Sequence, residues 1–561
     1  MASEECKARI RIIQVTDVYK LENFPSLKTL INEKRNEQNK LGGKTISVLT
    51  GDFLAPYLLS SFDNGVGMMN MINKTPIDYL IWGNHEQDLS HTSVMERERE
   101  YRGVWINSNM KSHESFADSK CQVDSVILDV VSPDGLNKRR LGLCGILTND
   151  KKLYKPGAFG GAVIDDPWDC MKYYNEKLKD EEGCDMVLPL CHLYEYQDEK
   201  TCRDFDFPVI LSGHDHHRVD RMINGTRLLK PGMDANYAVI LDIVWDSASS
   251  ESLPTIQAST IPVSEYPPDE ELRLEALKSN SILDSLANTH LSIVPERYRP
   301  LTSRGVLERR VSMATYLCTQ LRYALNMDTE GFEKDCDCVV MKGGKFRGER
   351  DYDDLVLTLE ALKTEFTKNE DIYIWHVPGF ILQRGLQETW KFPNSGWMQY
   401  DDEVEIDSEG EIETIGNIQF DPEKIYRVGS LKNLIKDRGG TPTFKNYFKD
   451  NPHNEPDFEA GVQLHVLLLK LFSRGIWKRL HDLLDADGDG IVTSDEIKLL
   501  DTDGDNKLSK SELRAAVANL LGLSAVEGQD ALIEHVLDAG GDVNLNRQLS
   551  VDEINTGPNK Y

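Results

Sequence analysis

No run in the 561-residue chain reaches the roughly 18 uninterrupted apolar residues that a membrane-spanning helix needs. The opening MASEECKARIRIIQ has no apolar core of signal-peptide length, and the closing NTGPNKY carries no lipid-anchor tail. Cysteine is sparse: ten in all, none after Cys338 and no CxxC pair. A disulfide framework is therefore not expected, and the thiols read as those of a reduced, cytoplasmic protein. The isolated pair Cys336 and Cys338 reads as structural. Positive charge is also in deficit. A formal net charge of -29 leaves no basic face for nucleic acid or for an anionic membrane surface. An acidic protein that nevertheless handles phosphate esters needs metal cations in its site. With 40% apolar and 28% charged residues the composition is globular, and the length implies about three domains.

What the chain does have is a series of β-rich runs that end abruptly in acids, amides and histidines. Arg9 to Val15 ends at Thr16 and Asp17, Lys44 to Leu49 ends at Thr50, Gly51 and Asp52, and Ile77 to Trp82 runs into GNHEQD, Gly83 to Asp88. Amphipathic or Met-rich helical patterns, Ser26 to Asn39 and Asp63 to Asn73, lie between them. Further on, Met186 to Leu190 leads to His192, and Pro208 to Leu211 leads to Gly213, His214, Asp215 and His216. Strand, ligand, helix, repeated, predicts an α/β layout with polar residues gathered at the carboxyl ends of strands. A single such strand end is ordinary turn chemistry, but five in one chain point to a metal centre.

The ordered set TD, GD, GNHE, H and GHDH resembles the dinuclear metallophosphatases, or calcineurin-like phosphoesterases. GNHEQD followed later by KGGKFR is similar to their 5'-nucleotidase branch. The resemblance spans roughly Arg9 to Phe448 and implies a four-layer αββα sandwich followed by a smaller α/β substrate-binding domain. It also implies two transition metals, zinc, manganese or iron, with Asp52 bridging them. Asp17 and His216 would hold the first metal; Asn84, His192 and His214 would hold the second. Two such metals bind both oxygens of an in-line displacement and lower the pKa of bound water. His85 is then left for catalysis, oriented by Asp88, and Glu86 is polar lining. One departure stands out: most relatives carry a His two residues after the first Asp, and this chain has Tyr19. Three outcomes are open, namely a first metal held by one ligand fewer, direct ligation by the phenol, or loss of that metal; the first is expected.

In the second half, Val306 to Leu325 reads as a helix and Cys338 to Met341 as a strand entering the glycine- and lysine-rich KGGKFRG. The resemblance assigns Arg347 to the substrate phosphate. It makes Trp397, in Gly396 to Gln399, and Phe444, after Gly439 and Gly440, the two walls of a base-stacking slot, although the second loop lacks the family's Asp and Arg384 is the only nearby arginine.

Beyond Gly461 a long amphipathic helix enters DADGDGIVTSDE, which matches the EF-hand calcium loop of alternating oxygen ligands, a sixth-position Gly and a closing Glu. Asp485, Asp487, Asp489, Ile491, Thr493 and Glu496 fill its positions. A second loop offers Asp501, Asp503, Asp505, Lys507, Ser509 and Glu512, with Asn506 where Gly is usual. A third offers Asp542, Asn544, Asn546, Ser550 and Glu553, with a bulky Arg547 that predicts weak binding. The second and third loops are expected to pair; only Ile497 to Leu500 separate the first two, which must then share a helix.

The expected layout is thus a catalytic domain at 1–265, a linker at 266–302, a substrate-binding domain at 303–455 and an all-α EF-hand module at 456–561. The expected function is metal-dependent hydrolysis of a small phosphate ester, a nucleoside 5'-monophosphate or related nucleotide, by a calcium-binding cytoplasmic enzyme. Two alternatives remain: a calcium-responsive scaffold with a decayed site, and a nucleotide-sugar or cyclic-nucleotide hydrolase with the same metals.

Overall fold

A computed structural model describes residues 6–118, 122–154, 157–249, 252–285, 290–327, 336–368, 370–391, 397–435, 441–458, 460–521, 533, 536–537, 539–542 and 548–556. Cys121, Gly396, Gly439, Gly440, Asn544, Asn546 and Arg547 lie outside the described residues. The chain forms two compact units that divide between Ser281 and Ile282.

The first unit is built on two sheets. One orders its strands β13-β12-β1-β2-β3-β4-β5, and the other β10-β11-β9-β8-β7-β6. The strands that matter for the site are β1 (Ala8–Val15), β2 (Lys44–Thr50), β3 (Tyr79–Ile81), β7 (Lys138–Leu147), β8 (Met186–His192) and β9 (Val209–Ser212). β4 and β5 are Val104–Ile106 and Gln122–Val123, β6 is Ser125–Val131, β10 to β13 are Arg218–Ile223, Thr226–Pro231, Tyr237–Trp245 and Thr255–Pro262. β1, β2 and β3 run parallel in one sheet, and β7, β8 and β9 run parallel in the other. Parallel strands buried on both faces must be nearly continuous in apolar residues, which is why these runs stood out in sequence. Ile10, Ile12, Val48, Ile81, Leu143, Leu188, Leu211, Val239 and Leu241 form the core shared by the two sheets. Helix α1 (Phe24–Lys40) buries Phe24, Leu27, Leu30 and Ile31 on the outside of the first sheet. Helix α2 (Pro167–Glu176) buries Met171 and Tyr174 in a second core with Val187 and Ile210 on the outside of the other. Helix, sheet, sheet, helix is the layering expected.

The second unit holds a five-stranded sheet and, following it, a helical segment. With β14 (Cys338–Lys342), β15 (Asp371–Pro378), β16 (Met398–Tyr400), β17 (Ile425–Leu431) and β18 (Val462–Gln463), the order is β16-β14-β17-β15-β18. Helix α3 (Ser312–Met327) starts later than the run from Val306 suggests. The cause is Gln399: its side chain accepts from Val311 N at 3.0 Å and donates to Val306 O and Arg309 O at 2.9 and 2.7 Å, which holds 306–311 out of helical geometry. Helix α4 (Leu464–Leu484) leaves β18 directly. Its later residues Ile476, Trp477, Leu480 and Leu484 join Val492, Ile497, Leu508, Leu513 and Leu549 in a separate core. Between the first two acidic loops the expected shared helix is only the single 3-10 turn Ile497–Leu499, since four residues leave room for one turn. Strand β19 (Lys507–Ser509) pairs antiparallel with β20 (Gln548–Ser550) through Leu508 and Leu549, so the second and third loops meet as expected. No helix among the described residues is long and apolar enough to cross a membrane, and the cysteines among them are free thiols.

Candidate metal centre

Each expected ligand of the first unit, and the expected catalytic His85, sits at or just beyond the carboxyl end of a parallel strand: Asp17 after β1, Asp52 after β2, Asn84 and His85 after β3, His192 closing β8, and His214 and His216 after β9. Turning these side chains inward demands unusual backbone. Asp17, Asp52, His214 and His216 all have positive φ, at 51°, 56°, 86° and 58°, a conformation that costs a non-glycine residue on the order of 1 kcal/mol or more and persists only where surroundings enforce it. Here they do. Asp17 N donates to Gly51 O at 3.1 Å, Val18 N to Asp52 O at 2.8 Å, and His214 N to Asp17 Oδ2 at 3.0 Å. Gly83 is required for a different reason: a Cβ there would lie 2.1 Å from Asp52 Oδ1.

The side chains converge. Asp52, His192 and His214 place ligand atoms within 4.8 Å of one another, and all three are buried. His192 Nε2 lies 3.0 Å from Asp52 Oδ2 and 3.2 Å from Asn84 Oδ1, while its Nδ1 meets Thr50 O at 2.7 Å. A carbonyl can only accept, so Nδ1 carries a proton. Nε2 faces acceptors too: burial lowers the ring's pKa, but Asp52 raises it to about 9, so a cation bound at Nε2 would displace that proton. His216 Nε2 is 3.5 Å from Asp17 Oδ1, and the Tyr19 hydroxyl is 3.2 Å from His216 Nε2 and from Asp52 Oδ2, the oxygen that His192 also meets.

Whether this set fits metal ions is decided by His214 and Asp17. Both ring nitrogens of His214, and Asp17 Oδ1, are buried without a hydrogen-bond partner. Buried polar atoms of that kind are costly unless something else satisfies them. Burial and the neighbouring His192 hold the His214 pKa well below its ordinary value, so the ring is neutral, the form that ligates. Burial alone would raise the Asp52 pKa, but His192 and His85 hold it below the usual carboxylate range and keep the carboxylate ionised. The buried Asp52, His192 and His214 group could hold a metal ion.

His85 stands beside this cluster rather than within it. Its Nδ1 lies 2.7 Å from Asp88 Oδ2, and its N–H donates to Asp52 Oδ1 at 2.8 Å. Glu86, expected only to line the site, is fully buried, and its carboxylate accepts from the amides of Asp52, Phe53, Leu54 and Gly83 at 3.1, 2.8, 3.1 and 2.7 Å. It clamps the Asp52 loop to the GNHE turn. Burial and the charge on Asp52 lift its pKa to about 7. Lys230 is a second residue the sequence did not single out. At 1% side-chain exposure it donates to Leu193 O and Gly213 O at 2.8 and 2.7 Å, and pairs with Asp198 at 2.7 Å and with Asp215, fixing the GHDH loop from behind.

In the second unit Arg347 is exposed, just after the turn Gly343–Lys345. Trp397 is half-buried, stacked on Trp390 at 5.5 Å, and its carbonyl accepts from Gly343 N at 2.8 Å, so it adjoins the KGGKFR loop. A Cβ on Gly343 would meet Val306 O at 2.1 Å, which explains the glycine. Phe444 departs from expectation. It is wholly buried against Gly385, where a Cβ would lie 2.4 Å from the ring, so the ring is core and has no face for a base. In the first acidic loop Asp485, Asp487 and Glu496 converge, and in the second Asp501, Asp503 and Glu512 do. Asn506 adopts φ 60°, the left-handed turn expected where Gly is usual. Asp485 Oδ2 and Asp501 Oδ2 each accept from the sixth-position amide, at 3.0 and 2.8 Å. Asp489 and Asp505 brace the seventh-position amides of Ile491 and Lys507 at 2.8 and 2.9 Å, and Thr493 and Ser509 bond the closing glutamates. In the third, Asp542 and Glu553 are buried, and Ser550 bonds Glu553.

Residues 10–218 match the family model for the calcineurin-like phosphoesterases. A 5'-nucleotidase of Vibrio vulnificus (strain CMCP6) is 25% identical over 206 residues, 34% of this chain and 36% of that protein, so the match spans about a third of the relative's length. Among solved structures, the NAD nucleotidase of Haemophilus influenzae superposes with a TM-score of 0.61 at 14% identity, covering 84% of this chain and 97% of that one. A 5'-nucleotidase from Staphylococcus aureus aligns more loosely, at TM-score 0.49 and 14% identity over 82% of this chain and 96% of its own. The segment 10–218, with its two facing sheets and strand-end donors, is therefore a calcineurin-like phosphoesterase domain.

Proposed function

We propose that the protein is a metal-dependent phosphoric ester hydrolase of 5'-nucleotidase type, acting on a nucleoside 5'-monophosphate or related nucleotide. The observation that carries the reading is that the buried ring nitrogens of His214 and Asp17 Oδ1 lack a hydrogen-bond partner beside ionised Asp52. On this reading Asp17, Asp52, His216 and Tyr19 would surround one cation, and Asp52, Asn84, His192 and His214 the other. Two cations held there would supply charge neutralisation of the phosphate and an activated water. The chain's own residues do the rest. Asp52 stays anionic at the centre. Thr50 fixes the His192 tautomer. Asp88 orients His85, which would stabilise the phosphate oxygens or give a proton to the leaving oxygen. Arg347 and Trp397, on neighbouring segments of the second unit, offer a cation for an anionic group and an aromatic face for a base. Similarity to a 5'-nucleotidase and to the fold of an NAD nucleotidase supports the nucleotide preference.

The reading extends to calcium at the first two C-terminal loops. Their carboxylates converge at EF-hand spacing, and Asp485 Oδ1 is buried with no hydrogen-bond partner. The test is hydrolysis of nucleoside 5'-monophosphates against a generic aryl phosphate, after chelation and reloading with zinc, manganese or iron, beside calorimetric calcium titration. Metal-dependent turnover with a lower KM for nucleotides, and two calcium ions bound per chain, are expected. Metal-independent turnover, equal KM values or no calcium heat would contradict the respective parts.

A further inference from the structure

We propose that Tyr19 is a direct ligand of the first metal and that this ligand makes the position selective for a hard trivalent cation, ferric iron. The inference rests on the two-metal reading above. The phenol oxygen is 3.2 Å from Asp52 Oδ2 and 3.2 Å from His216 Nε2, and His216 Nε2 is 3.5 Å from Asp17 Oδ1. Donors bound about 2.0–2.2 Å from one cation, at tetrahedral or octahedral angles, stand about 2.8–3.6 Å apart. These three separations fall within the spacing of neighbouring ligands.

The phenol is held in place by more than its own contacts. Tyr19 is 8% exposed, and its ring lies edge-on to His216 with centroids 5.5 Å apart. Its N–H donates to Asp234 Oδ1 at 3.2 Å, Lys20 pairs with Asp234 Oδ2 at 2.6 Å, and Asp234 N donates to Asp17 O at 2.8 Å. One residue, Asp234, therefore anchors the backbone that carries both Asp17 and Tyr19.

The donor chemistry sets the metal. Asp17, Asp52 and a tyrosinate would give the first position three anionic oxygens and one neutral imidazole, a set that favours a hard, highly charged cation. The second position, with Asp52, one amide and two imidazoles, suits a divalent ion. On binding, the phenol O–H bond breaks, an oxygen–iron bond forms and the proton passes to solvent; ferric iron is supplied as such and no electron moves. The site is thus complete, with the phenol standing where the resemblance leads one to expect an imidazole, and its two halves are unequal in charge.

The test uses the full chain loaded with ferric iron and zinc, read by visible absorption, resonance Raman spectroscopy and elemental analysis. Wild type is expected to bind one iron and to show a tyrosinate-to-iron charge-transfer band. Tyr19→Phe and Tyr19→His should lose the band and keep the zinc, Tyr19→His should take a second zinc in place of the iron, and Tyr57→Phe, which removes the buried phenol five residues after Asp52, should leave the spectrum unchanged. Bound iron without the band, or a band that survives in Tyr19→Phe, would overturn this proposal alone. No bound metal in wild-type protein folded by circular dichroism would overturn it together with the two-metal reading.

Discussion

His85 Nδ1 and Asp88 Oδ2 are 2.7 Å apart across one turn, so the carboxylate fixes the orientation of the imidazole beside Asp52. Neither residue completes a metal's ligand set in the arrangement described. Asp88→Asn should therefore lower kcat by about 10–100-fold, the usual cost of losing such an orienting partner, with the metal content unchanged. His85→Ala should cost about 100–10,000-fold. Elemental analysis beside turnover checks both; loss of metal in either variant would move these residues into the ligand set.

Lys230 carries a stability prediction. Burial disfavours its ammonium, but Asp198 and Asp215 more than offset this and keep it charged. Lys230→Met would leave Asp198, itself fully buried, without its counter-charge, and breaking a buried pair from one side costs about 3–5 kcal/mol. Adding Asp198→Asn to Lys230→Met should recover part of the loss. Urea unfolding of the single and double variants gives the answer, and a single variant as stable as wild type would refute the clamp.

Acid should weaken both units through buried histidines. His113 in the first unit and His465 in the second are each 2% exposed, and burial lowers both pKa values to about 4. The unfolded value is near 6.5, so the folded protein binds fewer protons in between. The stability due to neutral histidine is complete above pH 6.5 and is lost as pH falls toward 4, on the order of 3 kcal/mol for each. Denaturant midpoints should fall across that window, and His113→Gln should flatten the first unit's share. A midpoint independent of pH from 6.5 to 4 would contradict the assignment.

Asn555 joins the first C-terminal loop to the helix that follows the third. Val492 N donates to its Oδ1 at 2.9 Å and its Nδ2 donates to Val492 O at 2.7 Å, giving Val492 the pair of bonds that Leu508 obtains from β20. Two hydrogen bonds at about 1 kcal/mol each predict that Asn555→Ala weakens calcium binding at the first loop by about tenfold or more. Calorimetry with Glu512→Gln as the background isolates that loop; an unchanged affinity would show it to be independent.

The legibility of this chain follows from how far each signal travels. Apolar runs ending in Asp17, Asp52, His85, His192 and His214 were visible because parallel strands buried on both faces break off sharply at their polar ends. The calcium-type loops were visible because all their ligands lie within twelve residues. Glu86 was not legible as a clamp, since its partners are backbone amides that have no side-chain signature. Lys230 escaped because its partners, Asp198 and Gly213, come from other elements. Phe444 looked like a stacking wall until Gly385 proved to be its neighbour, and α3 starts late because of Gln399, a residue some ninety positions away. Apart from the Glu86 contact with Gly83, the deciding contacts were long-range.

The central claim, two metals bridged by Asp52, is tested most directly by Asp52→Asn. Bound metal and aryl phosphate hydrolysis should be measured on the same preparation, beside wild type. The account predicts fewer than two metals per chain and turnover lowered by about a hundredfold or more, as loss of a central charged group implies. Two metals retained with undiminished turnover would contradict it.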